Sequence, residues 1–564
     1  MKLSLLLALF PAALAAAAAS ISGSPVVTLS SPAATITGES QAKVERFIGV
    51  PFAQPPTGPL RLKPPQRQEK DGDLGQIQAT GVARSCPQFL SSTDDSDLPE
   101  ALITRLTDIR VSQNVTNMGE DCLSVSIHRP PGTTAGDNLP VLFWIYGGGF
   151  EMGSTTFYDG SPFVADSVQM NMPIVFVTVN YRSGGFGFLP GAEVKKAGVG
   201  NLGLLDQRLA LEWVADHIAD FGGDPTKVTL WGESSGSISV FDQMMIYDGD
   251  IKYNESPLFR GAIMDSGSIL PAEPIDSPKA QAIYDKVVAS GGCASADDTL
   301  ECLRELDYED FLNAAASVPS IMSYNAIAVS YLPRPDGAVL TQSSDKAAQS
   351  GQYASVPFII GDQEDEGTTF AIHQSNITTI NEIVDYLEDL YFHGATRDQI
   401  QALVDTYQDI SVNGSPFRTS NLNNWYPQFK RLAALLGDYT FTMARRLLLE
   451  LAAQVKPDVR TWSYLASYDH GTPYLGTFHG SDILQVFYGI LPNYASRSIH
   501  SYYLSFVYEL DPNKRSASMF PGWPLWRENH QLMQFFSNRV GLLEDGFRND
   551  TYNVLADNIS SFEL

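Results

Sequence analysis

The chain has 564 residues, 44% of them hydrophobic and 18% charged, a balance that supports a large folded core and excludes wholesale disorder, coiled coil and collagen. Lys and Arg number 37 against 64 Asp and Glu, a formal charge of −27. A surface this negative repels phosphate backbones and anionic membranes, which excludes nucleic acid as a partner and favours a neutral or cationic substrate.

Residues 1–19 read MKLSLLLALFPAALAAAAA. Lys2, an apolar run and the small residues Ala17 to Ala19 have the layout of a secretory signal peptide, so the mature chain is expected to start near Ser20. No later stretch of ~20 apolar residues is uninterrupted, so no integral membrane segment is expected. The C-terminal NISSFEL lacks the apolar tail of a lipid-anchor signal. The expectation is a secreted, extracellular protein. N-x-[ST] glycosylation patterns stand at Asn114, Asn254, Asn376, Asn413, Asn549 and Asn558; Asn413 is the weakest, because Pro416 follows its serine. The four cysteines, Cys86, Cys122, Cys293 and Cys302, suit two disulfides in an exported chain. Of three possible pairings the nearest-neighbour one is expected, Cys86 with Cys122 and Cys293 with Cys302. There is no CxxC and no HExxH, so neither a metal nor any other cofactor is expected.

Strand-like and helix-like segments then alternate, which points to an α/β class with a parallel sheet and crossover helices. Leu139 to Tyr146 is an apolar run ending in three glycines. Pro173 to Val179 is another, rich in β-branched residues. Gly203 to Phe221 reads as an amphipathic helix, with Leu205, Leu209, Trp213, Ile218 and Phe221 near helical spacing. Lys227 to Trp231 is a strand, Ser235 begins a helix, and Val356 to Ile360 is a later strand. Residues 280–350 and 375–455 read as mainly helical and are expected to cap one end of the sheet. The chemistry-bearing segments run from Tyr146 to His479, which argues for one catalytic domain over residues 20–564.

Gly232-Glu-Ser234-Ser-Gly236 matches G-x-S-x-G. An apolar strand before it and a helix after it are what a nucleophile elbow requires: the serine sits at the apex of a sharp, strained turn, and the helix N-terminus behind it faces developing negative charge. Phe221 to Gly236 as a whole resembles the serine signature of the type-B carboxylesterase/lipase family, the cholinesterase-like branch of the α/β-hydrolases. Glu120-Asp-Cys-Leu123 resembles its second signature. Phe47 to Pro56, Asn180-Tyr-Arg182 and Gly200 to Gln207 resemble further segments of the same family. The similarity runs from about residue 25 to about 530 and is closest to the family's secreted fungal lipases and sterol esterases. It implies an α/β-hydrolase fold with a large, mostly parallel central sheet flanked by helices, helical insertions and a disulfide-closed lid loop.

A serine hydroxyl needs a base, and a base needs an acid to hold its tautomer. Eight histidines offer themselves, and composition does not choose among them. The resemblance of Gly476 to Ile483 to the family's base loop selects His479, with His470 second. Asp362, Glu364, Asp365 and Glu366 crowd one loop, and on residue type alone any of them can serve. The resemblance of Asp365-Glu366-Gly367 selects Glu366. By the same resemblance the oxyanion donors are the N–H groups of Gly148, Gly149 and Ser235. Tyr146 stands where many relatives carry histidine, and Ser235 where most carry alanine; both departures concern the fine positioning of the loop. Ser266 matches a family serine that stands near the triad.

The resemblance further places a lid between Cys86 and Cys122, over residues 87–121. Phe89 is the only aromatic there, which disfavours a quaternary ammonium substrate, since such a cation needs an aromatic face. Leu98, Leu102, Leu106 and Ile109 fall on one face of a helix that Asp97 can cap. The expected activity is therefore ester hydrolysis through an acyl-enzyme, foremost a lipase acting on long-chain acylglycerols at a lipid–water interface. The alternatives are a sterol esterase, a carboxylesterase of soluble esters or, since some relatives are adhesion proteins, a non-catalytic binding protein. Oligomeric state is not legible.

Overall fold

The computed structural model describes residues 23–88, 98, 99, 102, 117–487 and 492–564. Residues 1–19, read above as a signal peptide, and Asn114, Leu106 and Ile109 lie outside these. Eleven strands form one sheet. Numbered along the chain they are β1 (Glu39–Gln41), β2 (Val44–Pro51), β3 (Ser124–Arg129), β4 (Leu139–Ile145), β5 (Val175–Val179), β6 (Gly223–Glu233), β7 (Gly261–Asp265), β8 (Phe358–Gln363), β9 (Thr461–Ala466), β10 (Gln531–Phe536) and β11 (Arg539–Glu544). Their order across the sheet is β11-β10-β9-β8-β7-β6-β4-β5-β3-β2-β1. The run from β10 to β5 is parallel throughout. The pairings outside it, at both edges, are antiparallel. This is the α/β-hydrolase arrangement, with a mixed rather than purely parallel sheet.

The parallel strands read as unbroken apolar runs because helices cover both faces. Phe143, Trp144 and Ile145 of β4, all of β5, and Leu230 and Trp231 of β6 are buried. Trp144 and Trp231 meet edge to face at 4.6 Å, and Phe487 stacks on Trp231 at 5.2 Å. The strand positions predicted from the apolar runs hold to within a few residues.

Two helical expectations need correction. Helix α1 (Leu202–His217) is buried nearly all round rather than on one stripe, with Asp206, Gln207 and Arg208 inside as well as Leu204 and Leu209. Its polar residues are paired. Arg182 donates to Asp206 through Nε at 2.8 Å and Nη2 at 2.7 Å, and Gln207 donates to Ser239 Oγ at 3.0 Å. Buried polar groups are tolerated when they are satisfied in this way. Residues 280–350 are helical only in part. After the helix Tyr308–Ala315 the chain is irregular through residues 316–343. Pro319, Pro333 and Pro335 withhold backbone donors there, and side chains stabilise the path instead, Tyr331 OH on Ala315 O at 2.7 Å and Arg334 Nη1 on Leu564 O at 2.8 Å.

Both expected disulfides form, Cys86–Cys122 and Cys293–Cys302. At the first, Ser85 N donates to Asn117 O at 2.8 Å and Gly119 N to Ser85 O at 3.0 Å, so the two arms of the 87–121 loop leave the body side by side. Among the described residues no helix is long and apolar enough to cross a membrane.

Candidate active site

Four loops converge at the carboxyl ends of the parallel strands, where open α/β sheets carry their sites. β4 ends just before Tyr146, β6 just before Ser234, and β8 three residues before Glu366; the segment after β9 leads to His479.

Ser234 has φ 57 and ψ −129, a conformation strained for a residue with a Cβ. It joins β6 to helix α2 (Ser235–Gly249), and its N–H donates to Asp265 O at 2.9 Å. The flanking glycines are needed for space. A Cβ on Gly236 would stand 2.1 Å from Ile145 O, and one on Gly232 2.3 Å from Gly236 O. The spacing G-x-S-x-G is thus the footprint of two chain crossings.

Ser234 Oγ lies 2.8 Å from His479 Nε2, and His479 Nδ1 lies 2.6 Å from Glu366 Oε2. Glu366 Oε1 accepts from Gln363 N at 2.6 Å, so both carboxylate oxygens are held. Phe370 and Phe441 pack beside the imidazole, with ring centroids 5.1 and 4.6 Å away. His470 lies in an exposed turn instead.

The crowded acidic loop separates into four fates. Asp362 forms an ion pair with Arg445 at 2.7 Å and accepts from Thr442 Oγ1 at 2.6 Å. Glu364 pairs with Arg418. Asp365 turns away from the imidazole and accepts from Ser415 Oγ, Phe417 N and Thr477 N. Burial and the neighbouring Glu364 push its carboxyl up to about 7, against the pull of those donors. Only Glu366 reaches the histidine.

A further buried carboxyl, Glu233, precedes the serine, with Oε1 3.6 Å from His479 Nε2. Burial raises it well above the usual range, and Asp482, Glu366 and Asp265 add to the rise. The charged form of Glu233 is thereby disfavoured, which opposes a second negative charge beside the imidazole. Asp265 accepts from Trp231 Nε1, Tyr464 OH and Tyr503 OH.

Gly148 and Gly149 lie at φ 120 and 65, with Gly147 tucked against the elbow. A Cβ on Gly148 would stand 2.4 Å from Met152 O, so this positive-φ turn needs glycine. Tyr146, the departure noted above, is fully buried and braced to Tyr181. Ser235 opens α2 as its first residue, so its N–H is one of the unpaired donors at a helix start. Ser266 is buried and receives Gln363 Nε2 at 3.4 Å; its contact is with Gln363 and not with the histidine.

Of the loop residues, Leu98 and Leu102 are described. Leu102 is fully buried against Ile372, Leu475 and Phe478, a small cluster separate from the main core and next to His479. Asn254, Asn376, Asn413 and Asn549 are exposed, whereas Asn558 is half-buried and its Nδ2 donates to Val554 O at 2.9 Å.

Sequence reasoning missed Gln363, Tyr181 and the separate work of Asp365. The only signal for them was proximity to the motifs.

Residues 23–554 match the model of the carboxylesterase family. The chain is 58% identical over 541 residues to "Secreted lipase 1" of Botryotinia fuckeliana, covering 96% of this chain and 94% of that protein. It is 56% identical over 535 residues to "Secreted triacylglycerol lipase LIP1" of Gibberella zeae, covering 94% and 90%. It is 42% identical to "Lipase 4" of Diutina rugosa over the full length of both. Among solved structures, that of Aspergillus niger EstA superposes with a TM-score of 0.79 at 26% identity, over 96% of this chain and 99% of that one.

Proposed function

Since the chain belongs to the carboxylesterase family, we propose that this carboxylic ester hydrolase is a secreted lipase and that Ser234, His479 and Glu366 are its catalytic triad. The observation that carries the triad is the relay itself, 2.8 Å from serine to histidine and 2.6 Å from histidine to glutamate.

In this reading Ser234 Oγ attacks the ester carbonyl carbon and gives its proton to His479 Nε2. Glu366 holds Nδ1–H and stabilises the imidazolium. The carbonyl oxygen becomes an oxyanion, met by the N–H groups of Gly148, Gly149 and Ser235; one good donor of this kind is worth ~3–4 kcal/mol. Collapse breaks the ester C–O bond, and the imidazolium proton leaves with the alcohol. Water, deprotonated by His479, then attacks the acyl-serine. A second collapse frees the carboxylic acid and returns the proton to Ser234.

The long-chain substrate rests on two supports, the names of the relatives and the burial of Leu102 beside the base loop. Leu102 in that cluster is where a lid would close. On this reading residues 1–19 are removed, exposed Asn254, Asn376, Asn413 and Asn549 are the glycosylation candidates, and 87–121 is the lid.

The deciding experiment is hydrolysis of emulsified long-chain triacylglycerol, steryl ester and dissolved short-chain ester by wild type and Ser234→Ala. The lipase reading expects the first substrate to lead and the variant to lose activity on all three by several orders of magnitude. Preference for the dissolved ester would reduce the protein to a soluble-ester carboxylesterase. Full turnover by the alanine variant would remove Ser234 from the mechanism.

A further inference from the structure

We infer that Asp365 is a positioning residue for the reaction: it ties the loop that carries His479 to the loop that carries Glu366, and so sets the distance between base and acid. The inference rests on the triad reading above and concerns a residue outside the relay.

The two loops are far apart in sequence and meet in a two-residue pairing. Asp365 N donates to Thr477 O at 2.9 Å, and Thr477 N donates back to Asp365 Oδ2 at 2.9 Å. The flanking residues are Glu366 on one side and Phe478-His479 on the other, so the tie lies one bond from the acid and two residues from the base. A second bond reinforces it, because Thr368 Oγ1 lies 2.8 Å from Leu475 O. The other oxygen, Asp365 Oδ1, accepts from Ser415 Oγ at 2.9 Å and Phe417 N at 2.7 Å, which fixes the carboxylate against a third segment. Asp365 is fully buried. Close approach is built in, since a Cβ on Gly476 would fall 2.1 Å from Asp365 Oδ2. The loop therefore has one way to sit, and His479 inherits its place from it.

Asparagine is the sharp probe. It keeps the volume and one acceptor, but its NH2 group must face either Thr477 N or the Ser415–Phe417 pair. Two donors then meet, and one tie opens. A residue that merely supported the fold would lower stability and leave the turnover of folded molecules unchanged. A positioning residue acts on the chemical step.

The test is steady-state hydrolysis of a dissolved short-chain ester by D365N, with S234A as reference and unfolding midpoints measured for each. D365N is expected to lose about 10- to 100-fold in kcat, the scale of a displaced catalytic group. Its KM should stay within about twofold, because ground-state binding is not touched. Wild-type kcat in D365N, or a loss confined to KM, overturns the inference while leaving the triad standing if S234A is inactive. Turnover by S234A instead sinks the triad reading, and this inference with it. If D365N does not accumulate as folded protein, T368V carries the test: it is near-isosteric and removes the hydroxyl that bonds both Leu475 O and Asp365 O, the two sides of the same tie. A several-fold fall in kcat at constant KM is expected there, and wild-type kcat overturns the inference.

Discussion

Tyr146 and Tyr181 clasp each other beside the glycine loop that follows β4: Tyr181 OH donates to Tyr146 O at 2.8 Å while the two rings stack with centroids 4.5 Å apart. The carbonyl so held belongs to the residue just before Gly147, and both tyrosines are buried.

Tyr181→Phe keeps the stack and deletes that hydroxyl. The Tyr146 carbonyl then stays buried without this donor, at a cost of ~1–3 kcal/mol. The expected result is a lower unfolding midpoint together with reduced kcat, because the loop that presents Gly148 and Gly149 is no longer held from below. Unchanged kcat would mean that the loop is positioned without this bond.

Glu366 and Glu233 both approach His479 and should answer unequally to the same change. Glu366→Gln cannot stabilise the imidazolium, and kcat/KM should fall by about 10²–10⁴-fold. Glu233, whose charged form is disfavoured by burial and by the carboxylates of Asp482, Glu366 and Asp265, loses little when its acid is replaced by the neutral, similarly shaped glutamine. Glu233→Gln should therefore cost less than about tenfold. Comparable losses in the two variants would show that Glu233 works as an anion.

Leu102 gives the lid proposal its handle. Taking a buried leucine off Ile372, Leu475 and Phe478 removes ~1.5–3 kcal/mol of burial. An aspartate there also places a charge on the surface that is proposed to meet lipid. With Leu102→Asp, turnover of emulsified triacylglycerol should fall about tenfold or more relative to turnover of a dissolved ester. Equal losses on both substrates would mark a permanently docked segment.

Asp545 supplies a pH test of the scaffold. Burial pushes its carboxyl up, but Arg445, Arg446 and the Trp526 indole N–H outweigh burial and hold it down to about 2, below the ordinary 3.8. The folded state thus binds this proton more weakly than the unfolded chain. The resulting stability, ~2 kcal/mol, is complete above the ordinary value and lost as the pH falls toward about 2. Asp545→Asn should destabilise by ~3–5 kcal/mol at pH 7, because it strands buried guanidinium charge. Denaturant titrations of both proteins should show the gap narrowing between pH 4 and 2. A gap independent of pH would mean that Asp545 contributes through packing alone.

What the sequence made legible was whatever is local. The elbow at Ser234 could be read because strand, turn and helix sit within one short stretch, and the glycine spacing records the chain crossings there. The choice among Asp362, Glu364, Asp365 and Glu366 was not local. It depends on Arg445, Arg418 and Thr477, which other elements bring in, and resemblance rather than residue chemistry selected Glu366. Helix α1 was misjudged for the same reason. Asp206 and Gln207 look solvent-facing until Arg182 and Ser239 are folded onto them. Within 280–350 the three prolines of 316–343 are themselves local, and their missing backbone donors are why that part is not helical.

The neck at Cys86–Cys122 has an evolutionary consequence. Its arms are locked by a covalent bond and two backbone hydrogen bonds, and Leu102 of the loop packs in its own cluster apart from the main core. The neck fixes the two points at which residues 87–121 join the body. Under the lid proposal, relatives are expected to differ in the esters they hydrolyse through changes between these two cysteines, and a chimera carrying a relative's segment between Cys86 and Cys122, assayed on the same ester panel, checks this.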